Sequence, residues 1–165
     1  MTERVRGTVY DDAAYMEAEA AAAITPGMGL EYAGETAVGN RTVQPVSSVE
    51  PTGPAARFAI EQRMPPRGAS GATRPIEQGY DAGDNVEMQV FRSGDTVENA
   101  LLAAGGDLTT AAHATIAIGD KLAFNDDGSL KLATTAGAEV VEAVEAVDNS
   151  GAAAGERARI AVEVL

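Results

Sequence analysis

The chain has 165 residues, 45% of them hydrophobic but only 4% aromatic, with no Trp and no Cys, and it carries a formal net charge of -13. That length gives one domain with an appendage, or two small lobes, and buries a real core made of Val, Ile, Leu and a large stock of Ala. The charge sets the surface against a phosphate backbone, the missing thiols exclude disulfides and thiolate chemistry, and no stretch approaches the ~20 apolar residues of a membrane span.

The Met1-Thr2-Glu3-Arg4 start lacks a signal-peptide pattern, so the expectation is a product made in soluble form. The first strong element is a helix from Asp11 through the Ala tract to Ile24. Asp11 or Asp12 caps it, Ala and Glu favour it, and Pro26-Gly27 stops it. Its apolar side is nearly all Ala, which suits close packing on a partner or an arm lying in solvent. Short apolar pieces follow, with a strand expected at Thr42 to Val49 that Pro45 makes an edge strand or an extended arm. Ala56 to Gln62 alternates and can pair into a sheet. Met64 to Pro75 is loop by composition, and Arg63, Arg67 and Arg74 gather around it as a local positive patch, where contact function concentrates. A carboxylate-bearing neighbour is one reading of that patch; a solvated connector whose arginines offset nearby acids is the other.

From Tyr80 the pattern becomes regular. Gly83-Asp84, Gly94-Asp95, Gly106-Asp107 and Gly119-Asp120 each precede an apolar launch, and turn signals at such spacing mark a small all-β sandwich or barrel. Strands are expected at Val86 to Val90, Thr96 to Leu102, Thr115 to Ile118 and Lys121 to Phe124. Asp127-Gly128 then closes a hairpin with a primed turn into Leu130-Lys131-Leu132. Glu139, Glu142 and Glu145 recur every three residues and fit neither period cleanly; context makes Ala138 to Val147 a strand. Arg157 to Val164 alternates and ends the chain as a strand. The division is therefore an N-terminal arm, 1–79, and a compact β-barrel module, 80–165.

No constellation for catalysis stands out. His113 is the only histidine and lies in an Ala/Thr-rich loop, so neither a zinc site nor a Ser-His-Asp triad has its partners. Asn125-Asp126-Asp127-Gly128 misses the EF-hand pattern, with Ala123 and Thr134 at the first and last ligand positions. Lys131 near a hairpin tip invites comparison with the swinging-arm lysine of lipoyl and biotinyl carriers, but its Leu130 and Leu132 neighbours favour a cation at a strand edge. The expectation is a non-enzyme with no catalytic, cofactor or metal residues. Only Lys121 and Lys131 are lysines among 12 basic residues against 25 acidic ones. Such a balance reads as adaptation to high salt, where the Debye length falls to about 3 Å at 1 M, or as ordinary acidity.

The ordered set Ala22-Ala23-Ile24-Thr25-Pro26-Gly27-Met28, Arg57-Phe58-Ala59, Tyr80 to Val86, Ser93 to Val97, Leu101 to Gly105, Ile118 to Leu122, Asp127 to Leu130, Glu145 to Asn149 and Arg159 to Val162 resembles the head decoration, or cement, proteins of tailed viruses. With the salt-adapted composition it suggests a virus of a halophilic archaeon. The resemblance implies a mainly β protein with a small β-barrel-like module of the β-tulip type and an extended N-terminal arm, which on the reading above carries a short helix. It implies no enzymatic activity and no cofactor. It further implies a place on the outer surface of the virion head after synthesis in the host cytoplasm, with the major capsid protein and its own copies, as a homotrimer, for partners. Neither nucleic acid nor membrane is expected to bind. Docking is assigned to the Thr42 to Arg74 region, with Arg63, Arg67 and Arg74 pairing with carboxylates. A viral spike that recognises the host, and a soluble β-barrel ligand-binding or carrier domain, are the alternatives.

Overall fold

The computed structural model describes residues 7–8, 14–61 and 75–165. Among the described residues thirteen strands run in chain order: β1 Gly7–Thr8, β2 Ala14–Ala20, β3 Leu30–Glu35, β4 Arg41–Pro45, β5 Arg57–Ala59, β6 Asn85–Val90, β7 Thr96–Leu102, β8 Thr115–Ile116, β9 Lys121–Phe124, β10 Leu130–Leu132, β11 Val141–Ala143, β12 Val147–Asp148 and β13 Ala158–Val164. Short 3₁₀ turns at Pro75–Glu77, Gly105–Asp107 and Ala111–Ala114 are the helical elements among the described residues. The protein is mainly β, as its turn chemistry predicts.

Five strands close a small barrel in the order β7-β10-β9-β11-β13, because β13 also pairs with β7. β7 is shared: β13 runs along one edge, while β10 takes only Leu102 and β1 takes Thr96 and Val97. Alternation sends Leu122, Phe124, Leu130, Val141, Ile160 and Val162 inward, each essentially without exposure. The second sheet has the order β3-β4-β2-β6-β5, and its outer strands meet through a Gly29–Phe58 bridge. It encloses a smaller core of Ala18, Ala20, Ile24, Leu30, Val43, Ala59, Tyr80, Val86 and Met88. Residues on both sides of position 80 share this sheet, since β6 pairs with β2 and β5.

All three phenylalanines sit where the sheets meet. Phe58 of β5 lies 5.9 Å from Phe91 and 5.5 Å from Phe124 of β9, ring centre to ring centre. A chain with few aromatics thus concentrates its largest apolar side chains at one junction.

The Gly-Asp repeat builds three turns of one geometry. Gly83, Gly94 and Gly119 hold φ of 93°, 90° and 87°, the left-handed region that glycine occupies without steric cost. Asp84, Asp95 and Asp120 then reach back three residues, accepting the N–H of Asp81, Arg92 and Ala117 at 2.8, 2.7 and 2.8 Å. Gly106-Asp107 departs from the set: its aspartate accepts the distant Gly155 N–H at 2.9 Å.

Four local expectations are corrected. The helix over Asp11 to Ile24 is not formed where the chain is described; Ala14–Ala20 is the central strand of the second sheet, in register with β6 from Ala14↔Val90 to Glu19↔Asn85. Small alanines at 18 and 20 fill the narrow space inside that sheet, and pairing on both sides outweighs helix propensity. The strand at Thr42 to Val49 is shorter, Arg41–Pro45, and lies inside the sheet between β3 and β2. Pairing with β2 ends at Val43, so Pro45 deprives no second neighbour of a donor. The β9–β10 hairpin uses a three-residue loop, Asp126 to Gly128, with Gly128 at φ 75° instead of a two-residue primed turn. Ala138 to Val147 breaks into β11 and the start of β12: Val140 and Val141 are both buried, which interrupts the alternation, and Val141, Glu142 and Ala143 are the residues that pair with β9 and β13.

Candidate docking surface

The arginines singled out from the sequence, Arg63, Arg67 and Arg74, lie outside the described residues. The described residues hold no group of three or more His, Cys, Asp or Glu side chains placed for a metal ion, and no helix among them is long and apolar enough to cross a membrane. His113 is half-buried on the Ala111–Ala114 turn, beside a hollow of about 240 Å³ that Asp107, Asn125, Asp126 and Lys131 also line. Asp127 is taken up structurally: the Ser129 N–H donates to it at 2.9 Å, and Arg157 donates to its Oδ2 through Nε at 3.1 Å and Nη2 at 2.7 Å. Burial alone raises the Asp127 carboxyl, but the Ser129 and Arg157 donors outweigh it and hold the group below its ordinary value.

Lys131 is corrected from a strand-edge cation to a buried one. Its Nζ donates to Glu50 Oε1, and the two side chains are only 6% and 4% exposed. Glu50 also accepts the Thr134 N–H at 2.9 Å and the Thr134 hydroxyl at 2.7 Å. Desolvation raises the Glu50 carboxyl, yet Lys131 and the Thr135 and Thr134 donors more than offset it, leaving a pKa of about 2. Glu50 reaches this position with φ at 51°, backbone that a non-glycine residue rarely adopts. Its N–H donates to the Phe124 carbonyl at 2.9 Å, so the segment between β4 and β5 is fastened to the barrel by main chain and side chain together.

Arg159 joins the sheets in a second place, donating to the carbonyls of Pro26, Asn99 and Ile76. Gly27 fits beneath it with φ at 94°; a Cβ there would stand 2.5 Å from Arg159 Nη1 and 2.6 Å from the Asn99 oxygen.

The most distinctive exposed chemistry lies on the second sheet. Beyond Leu30 and Glu31, every residue of β3 is exposed, so the β3–β4 hairpin stands clear of the core, with Val38 at its tip 82% exposed. Tyr32 on this hairpin, 42% exposed, carries two guanidinium groups over its ring: Arg57 at 4.2 Å and Arg41 at 5.6 Å from the centroid. Beside it, Glu31 accepts Gln44 Nε2 at 2.9 Å and the Ser47 N–H at 3.1 Å. Burial raises the Glu31 carboxyl, and the Ser47 and Gln44 donors bring it below its usual value. Nothing in the one-dimensional pattern brings Tyr32, Arg41 and Arg57 together; alternation in the hairpin and in β5 is the only signal that they leave the core.

These features define a fold class: a small closed β-barrel locked to a second five-stranded sheet that carries an exposed hairpin. No known protein-family model matches the chain, and no curated protein matches its sequence. Among solved structures the fold is similar to the head fiber gp8.5 N base of bacteriophage phi29, with a TM-score of 0.56 at 12% sequence identity, covering 93% of this chain and 95% of that one. At that identity the likeness is one of fold.

Proposed function

We propose that this protein is a structural, non-enzymatic component of a tailed-virus head. The observation that carries the reading is the likeness of fold, over nearly the whole of both chains, to a phage head fiber base. The ordered turn motifs that resemble head decoration proteins support it independently. In the finer form of the proposal the protein is a cement protein on the outer surface of the head. It bridges major capsid subunits, assembles with its own copies as a homotrimer, and belongs to a virus of a halophilic archaeon. Its net charge of -13 keeps it off the packaged genome, and many copies holding neighbouring subunits stabilise the shell by effective concentration.

Docking is assigned to Arg63, Arg67 and Arg74, whose guanidinium groups suit carboxylates of the shell. Reversing all three to Glu is expected to abolish binding of the purified protein to heads that lack it, with circular dichroism unchanged. Undiminished occupancy would overturn that assignment. A second reading, the base of a projecting head fiber, is favoured by the name of the structural neighbour. A spike that recognises the host predicts few copies at special vertices, whereas cement predicts a copy number comparable with that of the major capsid protein.

A further inference from the structure

A hollow of about 480 Å³ lies where the second sheet meets the barrel. Its floor is apolar: Ala22 and Ala23 follow β2, Met28 precedes β3, and Pro45 ends β4. Another wall is the β9–β10 loop with Asp126 and Asp127, and Arg157 stands beside it. That loop is pressed onto the sheet. The Gly29 N–H donates to the Gly128 carbonyl at 2.7 Å, and a Cβ on Gly128 would stand 2.6 Å from the Gly29 oxygen and 3.1 Å from Pro45 Cβ. The walls are therefore set before an occupant arrives, and little conformational freedom is lost on binding.

The charges around this hollow do not balance. Asp127 and Arg157 hold each other, each side chain 25% exposed, with Nε and Nη2 both donating to one carboxylate oxygen. Asp126 is exposed and makes no hydrogen bond or ion pair with a described residue. The neighbouring hollow that Asp126 also borders holds Lys131, and that ammonium is buried against Glu50. An apolar floor beside one uncommitted carboxylate suits an aliphatic stem that ends in a cation, since the stem covers the floor while the head stays with the acid and water. An anionic occupant is repelled by Asp126, and a wholly apolar one gains the floor alone.

We propose that this hollow receives the side chain of a lysine from another protein, its methylenes on Ala22, Ala23, Met28 and Pro45 and its ammonium at Asp126. One open carboxylate fits one charge at the end of one stem; the second ammonium of a free diamine would find only Asp127, which Arg157 already occupies. The lysine comes from a partner because this chain has only Lys121 and Lys131: the second is buried, and the first stands in register opposite Glu142 of its own sheet. The contact does not rest on the reading of a viral head.

The test titrates the full chain with blocked tripeptides, acetyl-Gly-X-Gly-amide, in which X is lysine, norleucine or glutamate, and follows the amide NMR signals of Ala22, Ala23 and Met28. The lysine peptide is expected to bind roughly two- to fivefold more tightly than the norleucine one, the range of an exposed ion pair, with the glutamate peptide weakest. That preference shrinks between about 0.1 M and 1 M salt as the pair is screened. Asp126→Asn is expected to remove the preference and Asp126→Lys to transfer it to the glutamate peptide, while Ala23→Phe fills the floor and blocks all three. Thermal melting of each variant establishes that it is folded. Signals that do not move at the hollow, equal binding of the three peptides, or a preference that survives Asp126→Asn would overturn the proposal. So would tighter binding of the free diamine cadaverine than of the lysine peptide.

Discussion

At the residue scale, the fastening of Glu50 to Lys131 governs how the segment before β5 is held. These partners are 81 residues apart in sequence, so neither the strand pattern around Lys131 nor the Pro-rich surroundings of Glu50 reveals the pair. The Glu50 carboxyl falls from 4.5 to about 2 on folding. A depressed carboxylate contributes stability that is fully present above the unfolded pKa and lost as pH falls through the folded one. The expected result is a stability loss between about pH 4.5 and 2 that Glu50→Gln removes, read from denaturant melts across that range. At neutral pH the same substitution leaves Lys131 buried without its counter-ion and destabilises the protein by roughly 3–5 kcal/mol.

At the element scale, the turns were legible and the Ala-rich strand was not. A Gly two residues into a turn followed by Asp is local chemistry, and the three copies at Gly83, Gly94 and Gly119 form the same structure because nothing distant is needed to make it. β2 fails as a sequence inference because Ala and Glu favour a helix alone, while the deciding partners, β4 and β6, lie tens of residues away. Its alternation of Met16, Ala18 and Ala20 with Glu17 and Glu19 was the weaker signal that proved decisive. The turns differ in burial, and that yields a prediction. Asp95 is 5% exposed whereas Asp84 is exposed, so Asp95→Ala removes a hydrogen bond to the Arg92 N–H that is better shielded from water and costs about 1–3 kcal/mol. Asp84→Ala is expected to cost less, and equal midpoints for the two variants in urea would contradict this account of the turns.

At the scale of the whole molecule, Phe58, Phe91 and Phe124 pack across the junction of the two sheets, and that packing is expected to make them unfold together. Phe58→Ala is expected to cost about 3–5 kcal/mol. It also accelerates amide exchange in β6 and β9 together; loss of protection in β6 alone would show that the sheets are independent. The barrel was legible because most of its strands are short, alternating and bounded by turns. The second sheet draws on widely separated segments, and the Arg41–Tyr32–Arg57 stack exists only once β3, β4 and β5 are assembled. Both belong to a fold similar to that of a phage head fiber base, and the role proposed for the protein is at a viral head. The most direct measurement is the copy number and position of this chain in purified particles, by quantitative mass spectrometry and cryo-electron microscopy. The account predicts a chain on the outside of the head in numbers comparable with the major capsid protein; its absence from the particle, or a place on the tail alone, would contradict it.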